Sequence, residues 1–364
     1  MQPAAVNLGI HLRVLAQSAT DSAAQVIPDS VIGHHESWDD LSKFASECDV
    51  ITFDHEHVPL EHLVKLEESG IAVRPGPKAL QFAQDKLEMR KALTELGVPC
   101  PEWQEISTDE QIDEFANKVG YPFILKTSRG GYDGKGVWVV QDKNEASQVL
   151  GKIKILNTKA LGEALVPFKR ELSAQVARSP HGQSVAYPVV QSTQTNGICH
   201  EVISPCPELS DERSTKAQAI ALKIAKELDV TGMLAVELFD TGTDVLVNEL
   251  AMRPHNSGHW SMDGSVTSQF ENHLRAILDW PLGSPANTSP VTVMVNLLGK
   301  DLGNLHGAFR HVMARDPGVK IHLYGKEVKP GRKIGHVNVS GENIEDLLAR
   351  AWHAADYLTG VIDE

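Results

Sequence analysis

Residues 232–259, GMLAVELFDTGTDVLVNELAMRPHNSGH, form two short predicted strands and a polar tail that together decide the fold. A turn centred on Gly242 places Glu237 opposite Val247, and it places Val247 and Glu249 on one face of the second strand. Glu249 is then the diagonal neighbour of Glu237, about 7–8 Å away. Because Mg²⁺ takes one or two protein carboxylates and fills its shell with phosphate oxygens, the hairpin predicts a magnesium–phosphate site. The alternative is a solvated strand face with two ordinary glutamates.

The tail of this stretch, RPHNSGH, concentrates hydrogen-bond donors directly after the second strand. Such a cluster is typical of a binding site for an anionic substrate. The alternative for His255 and His259 is a role as core or hinge histidines.

Composition limits the class of protein. The chain has 364 residues, of which 41% are hydrophobic and 23% charged, as in soluble enzymes of two or three domains. A formal net charge of −14 argues against non-specific binding to nucleic acids or anionic membranes. Four scattered cysteines without CxxC spacing fit a reducing compartment. No apolar run reaches the roughly 18 residues of a membrane span, and no leader resembles a signal peptide, so a cytoplasmic location is expected.

The first 77 residues alternate between predicted strands and helices, which indicates a mostly parallel sheet. The break at Arg74-Pro75-Gly76-Pro77 ends this unit. The strands are predicted at Leu12–Ala16, Ser30–Gly33, Asp49–Phe53 and Ile71–Val73, and the helices at Trp38–Ser46 and Leu60–Ser69.

A glycine-rich loop, GGYDGKG at residues 130–136, connects two further predicted strands. Glycines let backbone N–H groups approach phosphate oxygens closely, while Lys126 and Lys135 supply positive charge. The loop is neither a Walker A loop nor a Rossmann loop, because each of those opens a helix. Strand, glycine loop and strand are the layout of a flap over a nucleotide, and a flexible surface hairpin is the alternative.

The remaining elements complete a mixed α/β chain. A segment at residues 162–168 is predicted as a strand that offers its backbone to an adenine edge. The other predicted helices are Lys78–Leu96, Thr108–Val119, Asn144–Ile153, Thr215–Leu228, Gln269–Leu278 and Ile344–Leu358. The other predicted strands are Glu171–Ala177, Tyr187–Gln194, Thr292–Leu298, Lys320–Tyr324 and Ile334–Val339.

Several motifs together resemble one family across nearly the whole chain. They are TFDHEHVP from Thr52, AQDK from Ala83, LKTSRGGYDGKG from Leu125, VPFKREL from Val166, NELAMRPHNSGHW from Asn248 and RKIGHVN from Arg332. Their order is that of ATP-grasp enzymes, and the chain most resembles the 5-(carboxyamino)imidazole ribonucleotide synthases of purine biosynthesis. The resemblance implies an α/β and α+β fold with a pre-ATP-grasp domain at residues 1–77. It also implies an ATP-grasp domain at residues 78–289, with a lid at about 120–168, followed by a C-terminal domain at 290–364.

The resemblance also implies the chemistry. ATP would phosphorylate bicarbonate to carboxyphosphate, which carboxylates the amine of 5-aminoimidazole ribonucleotide. The implied cofactors are ATP and Mg²⁺, with Mn²⁺ as an alternative metal, and the implied assembly is a homodimer.

Site residues carry over by position within the motifs. The resemblance implies that the metal is bound by Glu237 and Glu249. The implied catalytic residues are Arg253, His255, Lys333, Tyr132 and Asp133. Substrate binding falls to Arg253, His255, Asn256, Ser257, Arg332 and Lys333. ATP binding falls to Lys86, Lys126, Gly131, Tyr132, Asp133, Gly134, Lys135, Gly136, Val137, Glu163, Ala164, Leu165, Val166, Glu171, Gln194, Asn248 and Glu249.

One departure from the family concerns the beginning of the chain. Family members begin with a strand and a Gly-Gly-Gly-Gln-Leu type loop, whereas this sequence begins after that loop. We therefore expect Met1 to be an internal methionine of a longer protein; the alternative is a genuine truncation. Two other functions stay open at this point: a formate-dependent ribonucleotide transformylase, and an ATP-binding remnant without synthase activity.

Overall fold

The computed structural model describes residues 1–131, 134–195, 197–300 and 305–362. Short strands and helices alternate through residue 84, as predicted. The helices are α1 (Gln2–Leu8), α2 (Trp38–Ala45), α3 (Leu60–Glu68) and α4 (Pro77–Gln84), and the strands are β1 (Arg13–Ala16), β2 (Asp29–Ile32), β3 (Val50–Ile51) and β4 (Ala72–Val73).

These strands pair in parallel, but not in one sheet. Within the described residues β1 pairs with β2 and β3 pairs with β4, as two separate two-stranded sheets. The predicted parallel pairing is confirmed, but among the described residues it is divided between two small sheets instead of forming one. Leu12, next to β1, and Val50, on β3, both pack against the apolar cluster of Ala5, Leu274 and Ile277, which therefore links the two sheets.

The predicted helix Lys78–Leu96 is two helices, since α5 (Lys86–Glu95) begins immediately after α4. The break lies at Asp85, which has an extended backbone, and its carboxylate accepts hydrogen bonds from the amides of Leu87 and Glu88. An aspartate N-cap satisfies amides that would otherwise lack partners, so it starts a new helix here.

A four-stranded antiparallel sheet, which we call the lid sheet, contains the segment predicted as a lid. Within the described residues its order is β5-β8-β6-β7, and the core lies around Phe115 and Phe123 beneath two helices. The glycine-rich loop joins β6 to β7, as predicted, whereas the strand predicted at residues 162–168 ends at Ala164. The elements are β5 (Trp103–Ile106), α6 (Asp109–Val119), β6 (Phe123–Thr127), β7 (Val137–Val140), α7 (Lys143–Ile155) and β8 (Ala160–Ala164).

The rest of the chain forms a nine-stranded sheet, in the order β14-β13-β9-β11-β12-β15-β17-β16, with β10 on β9. The C-terminal strands continue this sheet through β12. The sequence did not reveal β12, because the consecutive polar residues His200 and Glu201 interrupt its apolar pattern. Among the described residues, every helix is too short or too polar to span a bilayer. The strands are β9 (Arg170–Arg178), β10 (Ser184–Ala186), β11 (Val190–Thr195), β12 (Ile198–Ser204), β13 (Gly232–Asp240), β14 (Val245–Ala251), β15 (Val291–Leu298), β16 (Lys320–Leu323) and β17 (Lys333–Gly341). The helices are α8 (Asp211–Glu227), α9 (Ser261–Gly264), α10 (Gln269–Ile277), α11 (Phe309–Arg315) and α12 (Ile344–Thr359), with 3₁₀ turns at Asn256–Gly258 and Leu305–Ala308.

Candidate active site

A cleft of about 1200 Å³ lies where the first part of the chain, the lid sheet and the nine-stranded sheet meet. Most of the predicted site residues line it, although they come from six separate stretches of sequence. They are Lys86, Lys126, Gly131, Gly134, Val137, Glu163, Ala164, Leu165, Val166, Glu171, Gln194, Glu237, Asn248, Glu249, Arg253, His255, Asn256 and Lys333.

The hairpin β13–β14 carries the two predicted metal ligands in a different register from the predicted one. Glu237 lies directly opposite Glu249, while Leu238 lies opposite Val247, so Asn248 is an extra residue in a β-bulge. The bulge reverses the alternation of β14: Val247 points into the core and Glu249 points to the face of Glu237. The predictions that Glu237 opposes Val247, and that Val247 and Glu249 share a face, are therefore wrong. The two carboxylates are closer neighbours than predicted.

The electrostatics of this pair fit a cation. Burial and the carboxylates of Glu249 and Glu171 raise the pKa of Glu237. Burial also opposes ionisation of Glu249. The ion pair with Lys86, 2.5 Å from Nζ to Oε1, outweighs this effect of burial and lowers the pKa of Glu249. Among the residues that the structure describes, no group of three or more His, Cys, Asp or Glu side chains is placed to hold a metal alone. The pair therefore suits a metal that takes its other ligands from phosphate and water.

Glu163, one of the residues predicted to bind ATP, forms ion pairs with two cations. Its side chain is buried, with Oε1 2.5 Å from Arg90 Nε and Oε2 2.6 Å from Lys126 Nζ. Burial alone would raise the pKa of Glu163, yet Arg90 and Lys126 lower it to about 2, so the carboxylate is ionised. Because both oxygens are engaged and Glu163 is paired with strands on both sides, an adenine would meet the backbone that follows it, at residues 164–166. Sequence reasoning missed Arg90 entirely.

Next to this segment the cleft is apolar and aromatic. Phe168 and Phe239 stack with ring centroids 4.8 Å apart, and Phe168 keeps 43% of its surface exposed. With Val139 they offer a flat apolar surface that the sequence did not single out. Glu171 lies beside them; burial raises the pKa of its carboxyl group, opposed by a hydrogen bond from the backbone of Gln194. An aromatic surface beside a carboxylate suits a purine and its ribose hydroxyls.

On the other side of the cleft, His255 approaches the metal pair, with its Nε2 3.6 Å from Glu237 Oε1. Its Nδ1 accepts from the backbone amide of Ser257 at 3.4 Å, which leaves the proton on Nε2. Burial, with the nearby charges of Arg253 and Lys333, lowers the pKa of His255 to about 3, so the ring is neutral. His255 is therefore a neutral donor aimed into the cleft.

Two predicted substrate ligands lie elsewhere. Ser257 is buried beneath the cleft, where its hydroxyl lies 2.8 Å from both Ser173 Oγ and His255 Nδ1, so it orients His255 rather than lining the cleft. Arg332 is exposed and points back to the carbonyl of Glu327. Both predictions are therefore corrected.

Arg253 contacts the first part of the chain. Its Nε lies 2.8 Å from Glu56 Oε1, a partner that the sequence did not identify. Asn256 Nδ2 donates to Asn296 Oδ1 at 3.0 Å, and Lys326 lines the cleft together with Lys333. The RPHN segment is thus held by residues from both ends of the chain.

Part of the glycine flap lines the cleft, at Gly131, Gly134 and Val137. Gly136 has a φ of +74°, and an added Cβ would lie 2.5 Å from Thr127 Oγ1, so only glycine fits here. Gly136 and the exposed Lys135 do not line the cleft, in contrast to their predicted role in ATP binding. Tyr132 and Asp133, predicted at the tip of the flap, lie outside the described residues.

Comparisons with known proteins agree with this architecture. Residues 1–84 match a ribonucleotide synthetase preATP-grasp domain, and residues 91–270 match an ATP-grasp domain. Residues 292–350 match a phosphoribosylaminoimidazole carboxylase C-terminal domain. The predicted fold class is therefore confirmed.

Individual relatives resemble the chain over almost its entire length. The N5-carboxyaminoimidazole ribonucleotide synthase of Mycobacterium tuberculosis H37Rv is 50% identical over 98% of this chain and 84% of its own. The crystal structure of the N5-carboxyaminoimidazole ribonucleotide synthetase from Thermus thermophilus is 35% identical, with a TM-score of 0.88, and covers 100% of this chain and 95% of its own. An Aspergillus clavatus synthase in complex with ADP and 5-aminoimidazole ribonucleotide is 28% identical, with a TM-score of 0.88, over 98% of this chain and 94% of its own. The chain belongs to the N5-carboxyaminoimidazole ribonucleotide synthase family of ATP-grasp ligases.

Proposed function

We propose that the chain carboxylates 5-aminoimidazole ribonucleotide with bicarbonate and ATP, forming the N5-carboxylated nucleotide, ADP and phosphate. The observation that carries the proposal is the opposition of Glu237 and Glu249 across the bulge, with lysines on one side and the neutral His255 on the other. The printed names of the relatives, and the ligands of the Aspergillus synthase, support the choice of substrates.

ATP would lie between the lid and the hairpin. Its adenine would pack on Phe168 and Phe239 and meet the backbone of residues 164–166, while Glu171 would accept from the ribose hydroxyls. Lys86 and Lys126 would turn from Glu249 and Glu163 toward the phosphates. Each lysine is already held in the cleft by an ion pair, so binding exchanges one anionic partner for another.

Glu237 and Glu249 fit Mg²⁺, or Mn²⁺ in its place, as carboxylate ligands shared with the phosphate oxygens. When bound, the metal supplies positive charge against the charge that develops on the transferred phosphoryl group. The β-bulge would set the position of that charge, because it places Glu249 opposite Glu237.

Bicarbonate would lie between Arg253 and His255, since both offer donors at the end of the metal strand. Its oxygen would attack the γ-phosphorus of ATP, releasing ADP and forming carboxyphosphate. The substrate amine would then attack the carboxyl carbon, releasing phosphate and one proton. Because carboxyphosphate hydrolyses readily, the flap would exclude water during both steps.

The ribose phosphate of the substrate would bind Lys333 together with Lys326, which enters the cleft from the loop before β17. This replaces the predicted pair of Arg332 and Lys333. Cytoplasmic location and a homodimer belong to the proposal as well, and both rest on the family resemblance. Light scattering of the purified protein tests the dimer, with a monomer mass as the contradicting result.

The experiment is ADP formation by this chain with Mg²⁺, with bicarbonate or formate, and with or without 5-aminoimidazole ribonucleotide. Dependence on bicarbonate and stimulation by the nucleotide, with ¹⁴C from bicarbonate in the product, would support the proposal. Formate dependence would favour the transformylase alternative. ATP binding without stimulation would favour an ATP-binding homologue without synthase activity.

A further inference from the structure

Arg90 is a buried arginine that joins the two sides of the ATP cleft. It lies on α5 with no exposed surface. Its Nε donates to Glu163 Oε1 of the lid at 2.5 Å. Its two terminal nitrogens donate to the carbonyl oxygens of Val247 at 3.1 Å and Asn248 at 2.7 Å. One side chain therefore contacts both the lid sheet and the metal hairpin.

The two carbonyls belong to the β-bulge that turns Glu249 toward Glu237. Strand β14 is at the edge of its sheet, so carbonyl groups on its outer side need partners from outside the sheet. The planar guanidinium presents several donors in a fixed fork, which suits two consecutive carbonyl oxygens. Lysine cannot do this, because its ammonium is a single point on a flexible chain.

The other arm of Arg90 acts on Lys126. Glu163 receives Arg90 on one oxygen and Lys126 on the other, and Lys126 Nζ also donates to Asn248 Oδ1 at 3.3 Å. The phosphate lysine and the bulge are thus connected by two short routes, one through Glu163 and Arg90 and one through the side chain of Asn248.

We infer that Arg90 is a positioning residue, which fixes the β14 bulge and the separation between Lys126 and the carboxylates of Glu237 and Glu249. The inference rests on the proposed function, because it assigns these groups to phosphate and metal. Arg90 itself does not line the cleft. Its removal therefore acts on metal binding through the backbone of β14 rather than through a lost ligand.

The test compares Arg90→Lys and Arg90→Met with wild type and with Arg178→Met. Arg178 is a matched control, since it is also buried and donates to a carboxylate, Asp229, and a carbonyl, Val230, at the far end of β9. Mn²⁺ affinity in the presence of ADP is measured by electron paramagnetic resonance, which requires no turnover. The apparent Mg²⁺ constant and kcat are measured in parallel.

We expect Arg90→Met to weaken Mn²⁺ binding by about 10–100-fold, the usual effect of losing a residue that orients metal ligands. Arg90→Lys keeps the charge beside Glu163 but not both carbonyl contacts, so its nucleotide affinity should stay within about threefold while its Mn²⁺ affinity falls about tenfold. Arg178→Met should leave the Mn²⁺ constant unchanged while lowering the melting temperature.

Wild-type Mn²⁺ affinity in Arg90→Lys would overturn the inference, even if Arg90→Met fails to fold. Equal losses of Mn²⁺ affinity in the Arg90 variants and Arg178→Met would overturn it too, because they would indicate a general effect on stability. Wild-type protein that binds Mn²⁺ and ADP but forms no carboxylated product would contradict the proposed function while leaving the positioning role intact.

Discussion

The two halves of the cleft, the nucleotide side and the substrate side, accommodate buried polar groups in different ways. On the nucleotide side, charged groups are matched in pairs, Lys86 with Glu249 and Lys126 with Glu163. On the substrate side, neutral rings stand beside the ion pair of Arg253 with Glu56, since burial lowers the pKa values of His255 and His259 to about 3. Charged pairs can exchange partners when an anion or a metal enters, whereas neutral rings keep their orientation. The first half is suited to highly charged ATP. In the second half the neutral rings suit bicarbonate and the uncharged amine, while Lys333 and Lys326 are left for the ribose phosphate.

The largest expected effect is that of Glu249→Gln on the nucleotide half. Glutamine keeps the size of the side chain but removes the negative charge that faces Glu237 and pairs with Lys86. We expect kcat to fall by roughly 10²–10³, the usual effect of removing one preorganised electrostatic group. Steady-state ADP formation measures this. Glu114→Gln, at an exposed position on α6, is the control, and equal rates for both variants would contradict the metal assignment.

On the substrate half, His255→Ala should lower kcat/KM for bicarbonate by about 10–100-fold, the effect of losing a hydrogen bond to a charged group. The KM for ATP should stay within about twofold, because His255 approaches Glu237 of the metal pair and not the aromatic surface and lysines proposed to hold the adenine and phosphates. His34→Ala, at an exposed position, is the control. Since the pKa of His255 is about 3, the wild-type rate should show no His255 titration between about pH 6 and 8. A change confined to the KM for ATP would contradict the assignment of His255 to the substrate half.

A smaller effect is expected at the flap. Gly136→Ala would place a side chain at a φ of +74°, where its Cβ meets Thr127 Oγ1 at 2.5 Å. The KM for ATP should rise about tenfold, because the strain and the contact both oppose flap closure. Gly182→Ala is matched in backbone conformation, with a φ of +87°, but has no atom within 4 Å of the added Cβ. It should leave the KM unchanged.

The smallest effect concerns stability and the neutral histidines. Burial lowers the pKa of His273 to about 3, and its ring lies 2.7 Å from Thr52 Oγ1. Below about pH 6.5 the unfolded chain takes up a proton that the folded chain does not, so stability falls as the pH falls. One such histidine contributes at most about 1.4 kcal/mol per pH unit.

His273→Gln should therefore reduce the pH dependence of the unfolding free energy between pH 7 and 5 by up to one proton. Urea denaturation at each pH measures it, with His34→Gln as the control. A slope in His273→Gln equal to that of wild type would show that His273 is protonated in the folded state.

Sequence patterns predicted the order of most elements, and most of the predicted site residues line the cleft, because motifs such as RPHNSGH and the glycine loop mark local chemistry. They failed where a contact is long-range. The bulge at Asn248 is absent from an alternating pattern, since one inserted residue changes the register without any turn signal. In sequence, Arg90 cannot be told from an exposed helical arginine, because its partners Glu163 and β14 are distant along the chain.

Side-chain hydrogen bonds of Asp85 and Ser257 explain two other errors. Asp85 is compatible with a continuous helix in sequence, yet it caps a new one because its carboxylate satisfies two free amides. Ser257 resembles a substrate ligand by its place in the motif but is buried against Ser173. The domain boundaries after residues 77 and 289 stay predictions.

The most direct test of the account is the fate of bicarbonate oxygen. The purified chain would be given [¹⁸O]bicarbonate, ATP, Mg²⁺ and 5-aminoimidazole ribonucleotide, and the released phosphate analysed by mass spectrometry. If carboxyphosphate forms in this cleft, one ¹⁸O atom is transferred to each phosphate. Phosphate without ¹⁸O, in the presence of carboxylated product, would contradict the phosphorylation of bicarbonate.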